Sequence, residues 1–151
     1  MSTVALTEGT FEEHVKKPGI LVIDWWAPWC GPCRAFAPIY EKASQKFGDV
    51  TFAKINTEDE PALAATFQIQ AIPTLMVFRD QVLIFARPGM IPGPALDDLV
   101  EKVKALDMEE VRREIAEQEK AEAEGQKAAP AESPPSSGDS DSDGGGEPGA
   151  P

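Results

Sequence analysis

The stretch Trp29-Cys30-Gly31-Pro32-Cys33 holds the only two cysteines of the chain and joins two unlike segments. Upstream, residues 19–27 form an apolar run, interrupted once by Asp24, that predicts a buried strand. Downstream, residues 34–47 carry apolar side chains at helical spacing. A Cys-x-x-Cys between a strand and a helix is typical of thiol–disulfide chemistry, because the free N–H groups and dipole of the helix N-terminus favour a thiolate.

Two other uses of the cysteine pair fit the sequence less well. A zinc site needs four ligands, and the chain offers two cysteines and one histidine, His14. A purely structural disulfide between Cys30 and Cys33 would close too short a loop to restrain the unfolded chain much. The pair is therefore interpreted as redox-active.

The residues around the motif resemble a known family. The run from Asp24 to Arg34, with Ala37-Pro38 and Ile72-Pro73-Thr74, is similar to the thioredoxin family over about residues 3–106, at nearly constant spacing. The resemblance implies an α/β fold, the thioredoxin fold, with a mixed central sheet flanked by helices. It also implies a thiol–disulfide oxidoreductase that reduces protein disulfides through a Cys-Gly-Pro-Cys dithiol.

Composition divides the chain into three parts. Residues 1–106 hold 13 acidic and 10 basic residues, a net charge of −3, and have the size of one domain. Residues 107–124 (8 acidic, 3 basic, −5) predict a charged helical extension with a narrow apolar stripe of Met108, Val111 and Ile115, either solvated or docking a partner. Residues 125–151 (5 acidic, 1 basic, −4) are rich in Gly, Pro and Ser, without Val, Ile, Leu or aromatic residues, and predict a disordered acidic tail.

Charge and hydropathy also exclude several classes of partner. No basic patch is visible, which argues against nucleic-acid binding. No apolar run approaches the length of a membrane span. Residues 1–10 lack both the basic start and the apolar segment of a signal peptide, so we expect a reducing, cytoplasmic location. There, a cysteine pair is more often catalytic than structural.

The order of elements expected within the domain follows from periodicity and breakers. It reads strand, helix, strand, helix, strand, short helix, two antiparallel strands and helix, the last ending at about Leu106. The helix after the cysteines is expected from Cys33 to Phe47. At Gln81, where the resembling family usually has Gly, a tight hairpin turn needs positive φ, so a looser turn is expected.

Two charged residues are candidates for proton transfer. Asp24 interrupts the buried strand, so it either faces water at the strand end or is a buried acid with a raised pKa beside the cysteines; the resemblance favours the second. Lys54 lies on a later strand and either approaches Asp24 or faces solvent. Both alternatives for Lys54 stay open at this stage.

The resemblance implies a mechanism for the dithiol. Cys30, exposed at the helix start, attacks a client disulfide, and Cys33 resolves the mixed disulfide. Asp24 is the candidate base for Cys33, through water, with Lys54 beside it. The expected client-binding residues, with a cis peptide bond before Pro73, are Trp29, Gly31, Pro32, Ile72, Pro73 and Gly89.

The expected partners follow from the same resemblance. No bound cofactor is expected beyond the redox-active Cys30–Cys33 disulfide, and electrons would come from a separate NADPH-dependent flavoprotein, a thioredoxin reductase. The chain has no Gly-rich dinucleotide fingerprint of its own. A monomer acting on disulfide-containing client proteins is expected. The rival functions are a disulfide oxidase or isomerase and a non-enzymatic binding module with the same fold.

Overall fold

The structure is a computed structural model that describes residues 3–128 of the 151-residue chain. It divides into two compact units, the first ending at Met108 and the second beginning at Glu109. The strands are β1 (Thr3–Ala5), β2 (Ile20–Trp26), β3 (Thr51–Asn56), β4 (Thr74–Arg79) and β5 (Val82–Pro88). The helices are α1 (Glu8–Lys16), α2 (Gly31–Lys46), α3 (Pro61–Thr66), α4 (Gly93–Lys104) and α5 (Met108–Ala128). The predicted order of elements is confirmed.

The five strands form one mixed sheet in the order β1-β3-β2-β4-β5. Strands β1, β3 and β2 are parallel, whereas β4 runs antiparallel to β2 and β5 antiparallel to β4. Strand β2 lies at the centre, and all of its residues between Ile20 and Trp26 are buried. This burial explains its nearly continuous apolar sequence, because a strand covered on both faces has no solvent side.

Helices cover both faces of the sheet. On one face, Val22 of β2 packs in a cluster with Phe36 and Tyr40 of α2 and with Val100 of α4. On the other face, Ile23 and Trp25 belong to a cluster that also receives side chains from α1 and α3. The alternation along β2 therefore directs Val22, Asp24 and Trp26 toward the side that α2 covers.

Helix α2 begins at Gly31, two residues before the predicted start, and continues through Pro38 to Lys46. The earlier start places the whole Gly31-Pro32-Cys33 segment within the first turn. Proline suits this position, because the first N–H groups of a helix have no intrahelical acceptor. The N-cap of the helix is thus Cys30 itself, which fixes the first cysteine at the helix N-terminus.

The turn between β4 and β5 is tight, so the expectation of a looser turn was wrong. Asp80 and Gln81 have φ values of 49° and 75°, and the flanking residues Arg79 and Val82 are paired. Two side-chain hydrogen bonds offset the energetic cost of this left-handed backbone conformation. The Gly19 N–H donates to the Asp80 carboxylate over 2.8 Å, and the Gln81 amide donates to the Lys16 carbonyl over 2.7 Å.

Helix α5 extends to Ala128, four residues beyond the boundary predicted at Glu124. Gln126, Lys127 and Ala128 are strong helix formers and Gly125 is a weak one, and the division of the chain at residue 125 stays a prediction. The rest of the predicted tail, residues 129–151, lies outside the described residues. Across the described part of the chain, none of the helices is both long and apolar enough to span a membrane.

Candidate active site

The two cysteines lie at the junction of β2 and α2, as the motif predicted. Cys30 caps the N-terminus of α2, and Cys33 lies in its first turn. A disulfide joins them, with Cα atoms 5.2 Å apart. The Cys33 N–H also donates to the Cys30 Sγ over 3.2 Å. The structure therefore describes the oxidised form of the pair, with the first sulfur at the positive end of a helix.

Both cysteines are nearly enclosed in this form. Cys30 is 4 % exposed and Cys33 is 3 % exposed, and both pack in a small cluster with Ala27, Trp26 and Ile72. The expected exposure of Cys30 is therefore wrong for the disulfide form, because the apolar neighbours and the disulfide itself cover both sulfurs. What distinguishes the two residues is position: Cys30 precedes the first helical turn, and Cys33 lies within it.

The residues expected to bind a client surround Cys30. Trp29 is 65 % exposed, and Gly31 and Pro32 are exposed at the start of α2. The Cys30 Sγ lies 3.7 Å from the carbonyl oxygen of Ile72, and the Ile72–Pro73 peptide is cis, as the resemblance implied. The Gly89 N–H donates to the Pro73 carbonyl over 2.7 Å, which joins the two loops beside the disulfide. The structure thus brings all six residues to the end of the sheet where α2 begins.

Asp24 is a buried acid. It is 1 % exposed, and neither of its carboxyl oxygens has a hydrogen-bond partner within the described chain. Burial raises the pKa of Asp24 from its ordinary range to about 7, although the positive charge of Lys54 acts in the opposite direction. The alternative in which Asp24 faces water is therefore excluded. A carboxyl with a pKa near neutrality is able both to accept and to return a proton at physiological pH.

Lys54 lies directly opposite Asp24 in the pairing of β2 with β3. Its side chain is half-buried, and its Nζ lies 4.6 Å from the centroid of the Trp26 ring. The sequence left Lys54 either approaching Asp24 or facing solvent. Neither alternative included the contact of its ammonium group with the indole face of Trp26. The position of Asp24 between Val22 and Trp26 places it between the α2 core cluster and the cluster that encloses the cysteines.

Sequence reasoning missed two residues at this site. Trp26 contacts both the cysteine cluster and Lys54, and the sequence signal was its alternation with Trp25, which puts the two indoles on opposite faces of the sheet. Met90 is 41 % exposed and directly follows Gly89, so it presents a flexible apolar side chain next to the loop beside the disulfide. The signal there was an apolar residue next to a glycine already assigned to the site.

No metal-binding site is apparent in the part of the chain that the structure describes. Within residues 3–128, the structure shows no group of three or more His, Cys, Asp or Glu side chains that could hold a metal ion. What the site does offer is a pair of sulfurs that can be bonded or reduced, a helix N-terminus beneath them and a buried proton acceptor. Such an arrangement can exchange two electrons with another disulfide.

Comparison with known proteins gives a consistent result. The sequence model of the thioredoxin family matches residues 2–105. The chain is 48 % identical over 118 residues to putative thioredoxin 2 of Streptomyces coelicolor, covering 78 % of this chain and 88 % of that protein. It is 38 % identical over 100 residues to thioredoxin 1 of Synechococcus elongatus, covering 65 % of this chain and 94 % of that protein. Among solved structures, oxidised mitochondrial thioredoxin 3 of Saccharomyces cerevisiae superposes with a TM-score of 0.61 at 31 % identity, covering 67 % of this chain and 95 % of that one.

Proposed function

The chain belongs to the thioredoxin family and is a thiol–disulfide oxidoreductase that reduces protein disulfides, and on that premise we propose the roles of its residues. Cys30 is the attacking thiolate. The observation that carries this assignment is the contact of its Sγ with the Cys33 N–H at the N-terminus of α2. In the reduced protein the same N–H group and the helix dipole stabilise a negative charge on that sulfur.

The reaction has two exchange steps. The Cys30 thiolate attacks one sulfur of the client disulfide, so that a mixed disulfide forms and the other client sulfur leaves as a thiolate. Cys33 then attacks the Cys30 sulfur, which forms the Cys30–Cys33 disulfide seen here and releases the second client sulfur. The client gains two electrons and the protein loses two.

Asp24 is the proposed base for the second step. Cys33 must lose its proton before it attacks, and a carboxyl with a pKa of about 7 can take that proton through a water molecule and pass it to the leaving client thiolate. Lys54 supports this transfer electrostatically, because its positive charge favours the ionised form of Asp24.

The client segment is proposed to lie across the surface beside Cys30. In this proposal the client contacts Trp29, Gly31 and Pro32 near the start of α2, and also Ile72, Pro73 and Gly89 in the two loops joined by the Gly89–Pro73 hydrogen bond. An extended client segment would pair with the backbone at Ile72 and Pro73 while its apolar side chains contact Trp29. The exposed Trp29 suits this role, because an aromatic ring gives a large contact area at low entropic cost.

Electrons return to the Cys30–Cys33 disulfide from a separate NADPH-dependent flavoprotein, a thioredoxin reductase, so the chain is an electron carrier in cell redox homeostasis. We place it in the cytoplasm, as a monomer that binds neither nucleic acid nor a membrane. Residues 1–106 carry the activity, and the extension from residue 107 is not needed for it.

The two rival functions are not favoured. A non-enzymatic binding module would not need two cysteines held at a helix N-terminus with a buried acid beneath the same helix. A disulfide oxidase or isomerase usually carries a dipeptide other than Gly31-Pro32 between its cysteines. The comparisons found thioredoxins by name, from bacteria to yeast mitochondria.

Trapping the mixed disulfide tests the proposal. Cys33→Ser removes the second step, so a covalent adduct with a disulfide-bearing protein should persist on non-reducing electrophoresis until an external thiol cleaves it. Cys30→Ser, the matched control, removes the first step and should form little adduct. Adduct from Cys30→Ser alone would reverse the two roles. The absence of adduct from both variants would favour the binding module.

A further inference from the structure

Three side chains that lie on one face of the sheet suggest a role for Trp26. Asp24 and Lys54 are directly opposite each other on β2 and β3, and Trp26 follows Asp24 by two residues, so all three side chains point the same way. Lys54 is thus flanked by a carboxyl group and an indole ring. The structure shows which of the two it contacts.

The ammonium group lies on the indole. The Lys54 Nζ is 4.6 Å from the Trp26 ring centroid, within the range of a cation–π interaction. Asp24 Oδ1 and Oδ2 have no hydrogen-bond partner among the described residues, so the lysine does not bond to them. In this oxidised form, Lys54 is therefore held beside the carboxyl group without pairing with it.

The surroundings of Lys54 and Asp24 explain why the ammonium group contacts the indole and not the carboxyl group. Lys54 and Trp26 line a hollow of about 270 Å³ that also contains Asp59 and Glu60, so the ammonium on the indole keeps contact with water. Asp24 is enclosed, and a move toward it would strip water from the ammonium. That cost is recovered only when the carboxyl carries a charge.

The other charged and titratable groups near Asp24 leave Lys54 as its main electrostatic neighbour. Helix α2 contributes the buried Tyr40, whose hydroxyl donates to the Ala53 carbonyl over 2.6 Å and lies 3.0 Å from the Val22 carbonyl. The cysteines at the start of α2 are joined in a disulfide and do not titrate. From β4, the residue opposite Asp24 is Leu75, which is apolar. Asp59 and Glu60 line the same hollow as Lys54.

We propose that Trp26 is a positioning residue for proton transfer at Asp24: its indole holds the Lys54 ammonium off the carboxyl while Asp24 is protonated, and yields it when Asp24 ionises. The proposal rests on the proposed role of Asp24 in the resolving step. Because the indole competes with the carboxylate for one cation, Trp26 favours the protonated form of Asp24 and Lys54 favours the ionised form.

The position of Lys54 therefore changes each time Asp24 gains or loses a proton. When Asp24 accepts the proton of Cys33, it becomes neutral and Lys54 returns to Trp26. When Asp24 gives that proton to the departing client thiolate, it becomes charged and Lys54 moves toward it. Neither position is so favourable that it fixes the protonation state of Asp24, which suits a group that must accept and release one proton in each turnover.

A double-mutant cycle on the oxidised full-length chain tests the coupling, with the Asp24 titration followed by carboxyl-carbon NMR. Trp26→Phe keeps an aromatic ring but weakens the cation–π contact, so the pKa of Asp24 should fall by about half a unit, or about threefold in proton affinity. Lys54→Met should raise the pKa of Asp24. In the Lys54→Met background, Trp26→Phe should have no further effect.

The cycle separates positioning from packing. Lys46→Met is the matched control, because Lys46 also lies over an aromatic ring, that of Phe47, at the opposite end of α2, and it should leave the Asp24 titration unchanged. Equal shifts from Trp26→Phe with and without Lys54 would mean that the indole acts only through packing and would overturn the proposal. A rise in the pKa of Asp24, or no change, in Trp26→Phe would overturn it as well.

A measurement on the unsubstituted protein does not depend on the folding of any variant. The Lys54 ε-methylene protons should be shifted upfield by the indole ring at low pH, and should lose that shift with the same midpoint as the Asp24 titration. In Asp24→Asn the upfield shift should persist at all pH values. Shifts typical of an exposed lysine throughout would overturn the proposal. Unimpaired turnover of Asp24→Asn, by contrast, would remove the proposed base and leave this coupling intact.

Discussion

Asp24→Asn should stabilise the folded protein at neutral and alkaline pH. The buried carboxyl has a pKa of about 7, against an ordinary value near 4 in the unfolded chain. The folded state therefore binds the proton more tightly, so stability is unaffected below about pH 4, falls as pH rises from 4 to 7, and is lowest above 7. Asn has a similar volume and no charge, which removes this pH-dependent loss.

The size of the effect follows from the shift. One pKa unit corresponds to about 1.4 kcal/mol, so about three units give an upper value of about 4 kcal/mol at pH 8. For a domain of this size that free energy corresponds to a rise in melting temperature on the order of 20 °C. At pH 4 the variant and the unsubstituted protein should differ little, because Asp24 is then protonated in both the folded and the unfolded chain.

Urea unfolding of both proteins between pH 4 and pH 8 measures the difference directly. Asp59→Asn is the matched control. Because the Asp59 side chain is exposed to water, the free energy of unfolding of this variant should equal that of the unsubstituted protein at every pH. A stability advantage of Asp24→Asn that is the same at pH 4 and pH 8 would contradict the raised pKa of Asp24. The variant should also reduce disulfides more slowly near pH 7, with a deficit that fades at higher pH as hydroxide replaces the missing base.

Three further outcomes are expected. Tyr40→Phe removes the buried hydroxyl that donates to the Ala53 carbonyl over 2.6 Å, and should lower the free energy of unfolding by about 1 kcal/mol in urea titrations; unchanged stability would mean that the bond contributes nothing. Arg79→Met removes the guanidinium that donates to carbonyls at the C-terminal end of α4, so hydrogen exchange there should accelerate while exchange in β2 changes little. Removal of residues 129–151, which contain no Val, Ile, Leu or aromatic residue, should leave the melting temperature and the rate of disulfide reduction unchanged; a drop of more than a few degrees would show that this segment stabilises the domain.

The sequence allowed most of the sheet and the position of the cysteines to be predicted. The apolar run of β2, the helical stripe of α2 and the breakers between them depend on local chemistry, which a single sequence contains. The apolar run around Asp24 left open whether its carboxyl is buried or faces water, and only the family resemblance favoured burial. The cis peptide before Pro73 came from family resemblance, because local chemistry alone favours the trans form.

The features that sequence reasoning missed depend on contacts between distant segments. Periodicity placed Lys54 on a strand but could not decide whether its side chain approaches Asp24 or faces solvent, and it did not indicate the contact with the Trp26 indole. The tight turn at Gln81 depends on hydrogen bonds to Lys16 and Gly19, which are more than 60 residues away. The enclosure of Cys30 depends on Ile72, which reaches the site from the loop before β4.

Selective alkylation identifies which of the two cysteines is the reactive thiolate. The fully reduced protein is treated at pH 7 with less than one equivalent of iodoacetamide, and the labelled peptide is identified by mass spectrometry. Because Cys30 is the N-cap of α2 and Cys33 lies within the first turn, the label should be found on Cys30, and Cys30→Ser should react much more slowly than Cys33→Ser. Preferential labelling of Cys33, or equal labelling of both cysteines, would contradict the assignment of Cys30 as the attacking residue.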